Sequence, residues 1–550
     1  MTETTPTFNL VDQPWIPCVT RNGQRELLGL EAVFARAHEL REIYDDSPLV
    51  VVSLHRLLLA IVHHTLQGPV RMSDWAKLWQ NGNGRFDASV FTKYLRDARR
   101  YRRFDLFDAE RPFYQSTEIP FEKPTSKSTP ETYAKTVAKL ATELSANDTL
   151  FHHEVEGLPQ SVTPDLAARL VLASQNFSMG GRITFEKKED GSADASPLVK
   201  GAIALIRGAN LFQTLLLNLV KYDGKSSEPF SFNPTRDLPA WDRPEPPRSR
   251  DRTIEGYVDL LTWQSRRMRL QPEVSATGEV IVRNVVVMKG EQFVDGFHRR
   301  GHETMVAFTH NKDASDKQDP WPAVGFGEDR AVWRNSLALF ESVEAVRAQP
   351  ATIRWLDELA DEGHFDRSRV LPLDLFGLSS DQAKVLLWRH ERLLVPLKLL
   401  GNARLLRTLE KALLLTEELR RSMWATGTEF ARVLLLQDTN PKKQPGTEQR
   451  KDMQKIVDSL EIERRYWAKL EVEFVRFLGS ELLTEDPARD PDLHATALAN
   501  WKATLRRVAR NVFEEVIERE DGSSRALKAA VATERVFNWQ LSKTLDDRAA

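Results

Sequence analysis

The chain of 550 residues carries 77 Lys and Arg against 79 Asp and Glu, a formal charge of −2, and is 41% hydrophobic and 28% charged. That balance excludes a polypeptide basic along its whole length and the apolar share excludes a disordered one, while a local basic groove stays open. Single cores stop growing at roughly 250–300 residues, so about two to four domains are expected.

Along the first hundred residues, a short extended start gives way to a mostly helical pattern. Leu49 to Val62 is rich in Leu and Val, and Asp74 to Leu78 resembles a helix opening capped by Ser73. Cys18 is the single cysteine, which excludes an intrachain disulfide and a cysteine-based zinc cluster and makes a reducing cytoplasm the natural compartment. The opening Met1-Thr2-Glu3-Thr4-Thr5 lacks the basic stretch and apolar run of a secretory signal. No apolar run is read as approaching the roughly 18 residues that span a bilayer, so no membrane partner is expected.

Arg96, Arg99, Arg100, Arg102 and Arg103 put five guanidiniums into eight positions, interleaved with Tyr94, Tyr101 and Phe104. Arginine forks bind phosphate bidentately and stack on bases, so this run can track a nucleic-acid backbone; the alternative is a solvated helix face paired with nearby acids. Gln115 to Pro130 breaks into Pro, Ser, Thr and Lys, a loop signature, and the proline-dense stretch from Pro229 to Arg252 can continue neither helix nor sheet interior. Arg266, Arg267 and Arg269 form a second basic stretch with the same two readings. Val280-Ile281-Val282 and Val285-Val286-Val287-Met288, bounded by Gly278 and Gly290, fit strands of one sheet.

Beyond about residue 390 the pattern turns to long amphipathic helices. Leu399, Leu406, Leu409 and Leu413 share one face, Trp467, Leu470, Phe474 and Phe477 another, and Leu505, Val508, Val512 and Val516 a third, while Leu527 and Val531 begin a fourth. Breaks at Asp438 to Thr447 and Glu485 to Pro491 let these helices fold back as an antiparallel bundle.

No catalytic constellation emerges. Gly224-Lys225-Ser226 ends like a phosphate loop, but Leu219 takes the place of its leading glycine; Gly82-Asn83-Gly84 reads as a turn. His298 and His302 are spaced i, i+4, but Gly301 weakens the helix that a shared metal would need, and the adjacent pairs His63-His64 and His152-His153 diverge in regular structure. The rival class is a metal-dependent nuclease, with Asp357, Asp361 and Asp366 as candidate Mg²⁺ ligands; the alternative is decoration of a helix end.

Several segments, in order, resemble the large-subunit (CasA) family of the type I-E CRISPR surveillance complex, Cascade. They are Asn9-Leu10-Val11-Asp12-Gln13-Pro14-Trp15-Ile16-Pro17, Ala37-His38-Glu39-Leu40-Arg41-Glu42-Ile43, Phe104-Asp105-Leu106-Phe107 with Arg111-Pro112-Phe113-Tyr114-Gln115, Leu261-Thr262-Trp263-Gln264-Ser265-Arg266-Arg267, and Trp388-Arg389-His390-Glu391. The resemblance implies an α+β fold: a large mixed α/β amino-terminal domain, 1–390, and a four-helix bundle, 391–550. It implies a non-catalytic, cofactor-free subunit that binds the protospacer-adjacent motif (PAM) of double-stranded target DNA through the minor groove and promotes duplex opening and R-loop formation. Its implied partners are the other Cascade subunits, the CRISPR guide RNA and a separate helicase-nuclease that it helps to recruit.

The resemblance also assigns residues. Ser178, Met179, Gly180 and Gly181 lie in the family's glycine loop, which contacts the PAM through its backbone, and Lys289 matches the lysine finger that enters the minor groove, with Gly290 expected to form a tight turn behind it. Asp381 and Gln382 occupy the wedge position; Gln382 is expected to be the wedge and Asp381 a helix N-terminal carboxylate. Phe151 matches the aromatic that engages the 5′ handle of the guide RNA, and the adjoining loop, about His152 to Asp165, is implied to dock the subunit onto the complex.

Overall fold

The computed structural model describes residues 6–80, 84–123, 131–140, 161–184, 191–315, 319–327, 331–381, 384–440, 442–483, 493–519 and 522–546. The backbone alone is described at 380–381, 384–387 and 493–495. The chain divides into two units, the first comprising 1–328, 342–366 and 371–393, the second 329–341, 367–370 and 394–550.

The first unit is built around the helix Pro48–Leu66. Ser47 caps it by accepting the Val50 N–H, Pro48 presets its first turn, and Gln67 ends it in the left-handed region at φ 47°. By length and composition this helix is apolar enough to cross a membrane, contrary to the expectation from sequence, where Arg56 and the histidines interrupt the run. It is a core helix, buried on every side from Pro48 to His63. Arg56 is tolerated there because Glu303 meets it at 2.9 Å with both side chains almost wholly enclosed.

The helix Pro164–Phe177 packs against this core helix and buries an unbroken run from Leu170 to Phe177. Nearby, Ile16–Thr20 lies between Arg25–Leu28 and Leu40–Ile43 in an antiparallel sheet, so the first hundred residues are less purely helical than their pattern predicts. The helix predicted from Asp74 is Met72–Gln80; Ser73 sits inside it, and the Asp74 carboxylate, not the serine, takes up the Arg71 N–H at 3.1 Å.

The two predicted valine strands are one ten-residue strand, Val280–Lys289, paired antiparallel with Arg266–Val274. A register shift between Val282 and Asn284 absorbs the polar Arg283-Asn284 pair that made the sequence read as two strands. Ile203–Ile206 pairs with Val370–Asp381, which has Lys384–Pro396 on its other side. The chain from Pro229 to Ser249 contains no regular element, as its prolines require.

Among its described residues the second unit has four long helical arms, Ala403–Leu436, Thr447–Arg476, Leu493–Glu518 and Ser524–Leu545. The second arm is broken at Glu461, which adopts φ 49°. Helix begins at Ala403, not at 390, because Lys384–Pro396 is a strand, and Leu399 precedes the first arm. Trp467, Leu470, Phe474 and Phe477 are buried as their spacing predicts, as are Leu505, Val508, Val512 and Val516. Leu527 and Val531 are 56% and 69% exposed; the fourth arm instead buries Ala526, Ala529, Ala530, Thr533, Phe537 and Leu541, whose small residues permit close helix approach.

Candidate nucleic-acid interface

Ser178 ends the helix Pro164–Phe177, and its N–H donates back to the Ser174 carbonyl at 3.1 Å. From there the chain runs through Met179 and Gly180 into the short strand Gly181–Arg182, which pairs with Ser192–Ala193. Gly180 lies so close to the strand opposite that an added Cβ would come within 2.8 Å of the Ala195 nitrogen. Gly181 has open space around it but adopts φ +126°, which L side chains rarely enter.

Beneath this loop lies Arg266, 1% exposed. Its Nη2 donates to the carbonyls of Met179 at 3.0 Å and Asp194 at 2.7 Å, with a longer contact of 3.4 Å to Ser178, while Nη1 donates to its own neighbour Ser265 at 2.8 Å. Gln175 fixes Arg266 in turn, accepting its N–H and donating to its carbonyl, both at 2.9 Å. Burial pulls the guanidinium down to about 10, still protonated at neutral pH. Among the described residues no carboxylate neutralises it by contact; the carbonyls of Met179, Asp194 and Ser265 solvate the charge.

In a trans peptide the N–H points opposite to the C=O. Turning the Ser178 and Met179 carbonyls inward therefore turns the N–H groups of Met179 and Gly180 outward, and neither bonds to an acceptor among the described residues. Two adjacent free donors on partly exposed backbone can meet base-edge or sugar oxygens at close range.

Lys289 is the last residue of its strand and the register partner of Arg266. Arg267 Nε donates to the Lys289 carbonyl at 2.9 Å, and a bridge between Thr184 and Met288 ties the chain just after the glycine loop to the same strand. The Lys289 ammonium rests 3.7 Å from the exposed Asp251 carboxylate. Gly290 does not form the expected turn: the chain continues into the strand Glu291–Phe293, and the glycine is required because a Cβ would lie 2.5 Å from the Gln264 carbonyl oxygen.

The basic stretch Arg266, Arg267 and Arg269 is thus not a solvent-facing track. Arg269 donates to the Ile119 carbonyl at 2.8 Å and lies over the Phe121 ring, so all three guanidiniums serve main-chain carbonyls. Sequence reasoning missed the part Arg266 plays because a run of arginines reads as surface; the signal was its neighbours Trp263, Gln264 and Ser265, all buried and hydrogen-bonded beside it.

Asp381 closes the strand Val370–Asp381 and Lys384 opens the next, so the backbone at Asp381 is a strand end and not the helix N-terminus expected of it. The leucine-rich segment Leu371–Leu378 prevails because it pairs with Ile203–Ile206. Gln382 and Phe151 lie outside the described residues. Among the described residues no three His, Cys, Asp or Glu side chains gather to hold a metal. His298 contacts Asp319 at 3.6 Å and His302 takes the His298 carbonyl at 2.9 Å, so the two imidazoles do not converge.

Residues 9–512 match the family described as CRISPR-associated protein Cse1. CRISPR-associated protein CasA/Cse1 of Thermus thermophilus is 34% identical over 516 residues, 91% of this chain and 92% of that protein. The crystal structure of Thermus thermophilus CasA superposes with a TM-score of 0.77 at 28% identity, covering 98% of this chain and 100% of that one. The fold is shared as well with Cse1 from Acidimicrobium ferrooxidans, at TM-score 0.79 and 22% identity over 99% of both chains. A chain of a CRISPR RNA-guided surveillance complex gives TM-score 0.71 and 22% identity, covering 97% of this chain and 99% of that one.

Proposed function

The chain belongs to the CRISPR-associated protein Cse1 family, and from that premise we propose that it is the non-catalytic large subunit of an RNA-guided DNA surveillance complex in the cytoplasm. In this reading it recognises the PAM of double-stranded target DNA through the minor groove, promotes duplex opening and R-loop formation, and helps to recruit a separate helicase-nuclease. Guide-RNA pairing then reads the sequence.

The observation that carries the reading is the pair of N–H groups at Met179 and Gly180 that are free among the described residues, turned outward because the Ser196 N–H holds the Ser178 carbonyl at 2.9 Å and Arg266 holds the Met179 carbonyl at 3.0 Å, with Lys289 the register partner of Arg266. Backbone donors and one mobile ammonium suit the minor groove, whose acceptors are nearly the same for every A·T pair; tolerance of several PAMs follows. Lys289 would exchange Asp251 for the groove's negative potential. By the family resemblance, Gln382 would take the space vacated by separated bases. Opening must precede guide pairing, since stacking averages roughly 1.4 kcal/mol per step and the first pairs must be broken before the guide can replace them. Phe151 is assigned to the 5′ handle of the guide RNA by the family resemblance alone.

The test replaces Gly180 with Val and Lys289 with Ala in the assembled complex and measures affinity for duplexes with and without a PAM. The ratio of the two affinities is expected to collapse while the variants stay folded and assembled; an unchanged ratio refutes the reading.

A further inference from the structure

The first basic run divides into two sets. Arg96 pairs with Asp12 and Glu31, Arg100 with Asp242, and Arg102 with Asp108 and Glu110. Arg99 and Arg103 are one turn apart on the helix Ala98–Arg103 and share a face. Neither they nor Arg111 come within 4.0 Å of a carboxylate among the described residues.

Instead, Arg99 reaches the Asp242 carbonyl at 3.4 Å, and Arg111 donates to the carbonyls of Pro244 at 2.8 Å and Arg243 at 3.4 Å. One stretch of main chain therefore draws both guanidiniums together without neutralising either. Arg103 is half-buried and its guanidinium donates to nothing among the described residues. Burial, and after it the charge of Arg99, holds Arg103 below the usual arginine range against the opposing Asp108 and Asp242; Arg111 is lowered by burial, then by Arg103 and Arg99, with Glu118 and Glu245 opposing from beyond contact. Three like charges kept close at this cost call for an anion.

We propose that Arg99, Arg103 and Arg111 form a binding site for a nucleic-acid sugar–phosphate backbone, read without regard to sequence. The aromatic rings of the run are engaged elsewhere: Arg96 lies over the Tyr101 ring, Arg100 over the buried Tyr94 ring, and Phe104 is buried against Phe113 and Trp241. With no free ring to stack a base, the site holds phosphates and not bases. The backbone belongs to the target duplex or to the guide RNA, and the experiment separates these sources.

The experiment compares the Arg99→Gln, Arg103→Gln, Arg111→Gln triple variant, Arg103→Gln alone and an all-Lys triple in assembled complexes. Duplex affinity is measured across a salt series, with and without a PAM, alongside retention of the subunit on guide-bearing particles. For a target-duplex site, the Gln triple weakens both duplexes by the same factor and lowers the slope of log affinity against log salt by about 2–3, Arg103→Gln by about 1, while the Lys triple keeps most of the slope. For a guide-RNA site, the slope loss falls on subunit retention and the duplex slopes stay unchanged at saturating subunit. Unchanged slopes in both arms, with an unchanged melting curve, overturn the proposal. So does an equal loss from Arg102→Gln, whose charge is already paired, or a loss confined to PAM-bearing duplex, which belongs to the glycine loop and leaves the PAM reading intact.

Discussion

The Arg266 guanidinium donates to the Met179 carbonyl at 3.0 Å from a position 1% exposed, so a buried charge sets which way the adjoining N–H points. Orientation of the proposed DNA contact is thereby fixed by the core and not by the surface.

Replacing Arg266 with Met should therefore act twice. The Met179 and Asp194 carbonyls lose the buried donor, costing about 2–4 kcal/mol in urea unfolding. PAM discrimination in the assembled complex should fall as the loop loses its orientation. Arg266→Lys, which keeps the charge but not the fork, should fall between the two.

Asp251 restrains Lys289 at 3.7 Å, with its own side chain 63% exposed. Asp251→Asn should free the ammonium and tighten PAM-bearing duplex about two- to fivefold at low salt, as expected for an exposed pair. The gain should disappear at high salt in a titration of the same duplex.

Gln382→Ala should separate capture from opening. Initial duplex binding stays near the wild-type value, while strand separation, followed by a fluorescent base beside the PAM, slows by roughly ten- to a hundredfold if the side chain offsets about 1.4–2.7 kcal/mol of the opening barrier. Equal slowing of both steps contradicts a wedge.

His63 provides a pH test of the core. Burial, against the opposing Gly68 carbonyl at 3.0 Å, lowers it from 6.5 to about 4. The unfolded chain binds this proton first, so stability is full above pH 6.5 and falls as pH drops toward 4. His63→Gln, which can keep a donor toward Gly68, should remove of order 2 kcal/mol of the loss by about pH 5, read as a smaller gap between unfolding free energies at neutral and acid pH.

The sequence made the bundle legible because helical spacing repeats over many turns: Trp467 to Phe477 and Leu505 to Val516 are buried as their period requires. It misassigned the fourth arm because Leu527 and Val531 are larger than the alanines that face the core, and close packing favours the smaller side chains. Family resemblance proposed the glycine loop and Lys289 as the DNA contact, but not what orders them. Arg266, Gln175 and Asp194 are distant in sequence, and a buried arginine solvated by carbonyls leaves no period or motif to read. Asp381 was misread because a short polar run after a glycine suits a helix start as well as a strand end; pairing with Ile203–Ile206 decides it.

The most direct measurement is R-loop formation on PAM-bearing and PAM-less duplexes by guide-loaded particles purified with and without this subunit. Fast, PAM-dependent melting is expected only when the chain is present, restored on adding it back and not restored by the Gly180→Val, Lys289→Ala variant. Melting at the same rate and with the same PAM dependence in its absence would refute the proposed role.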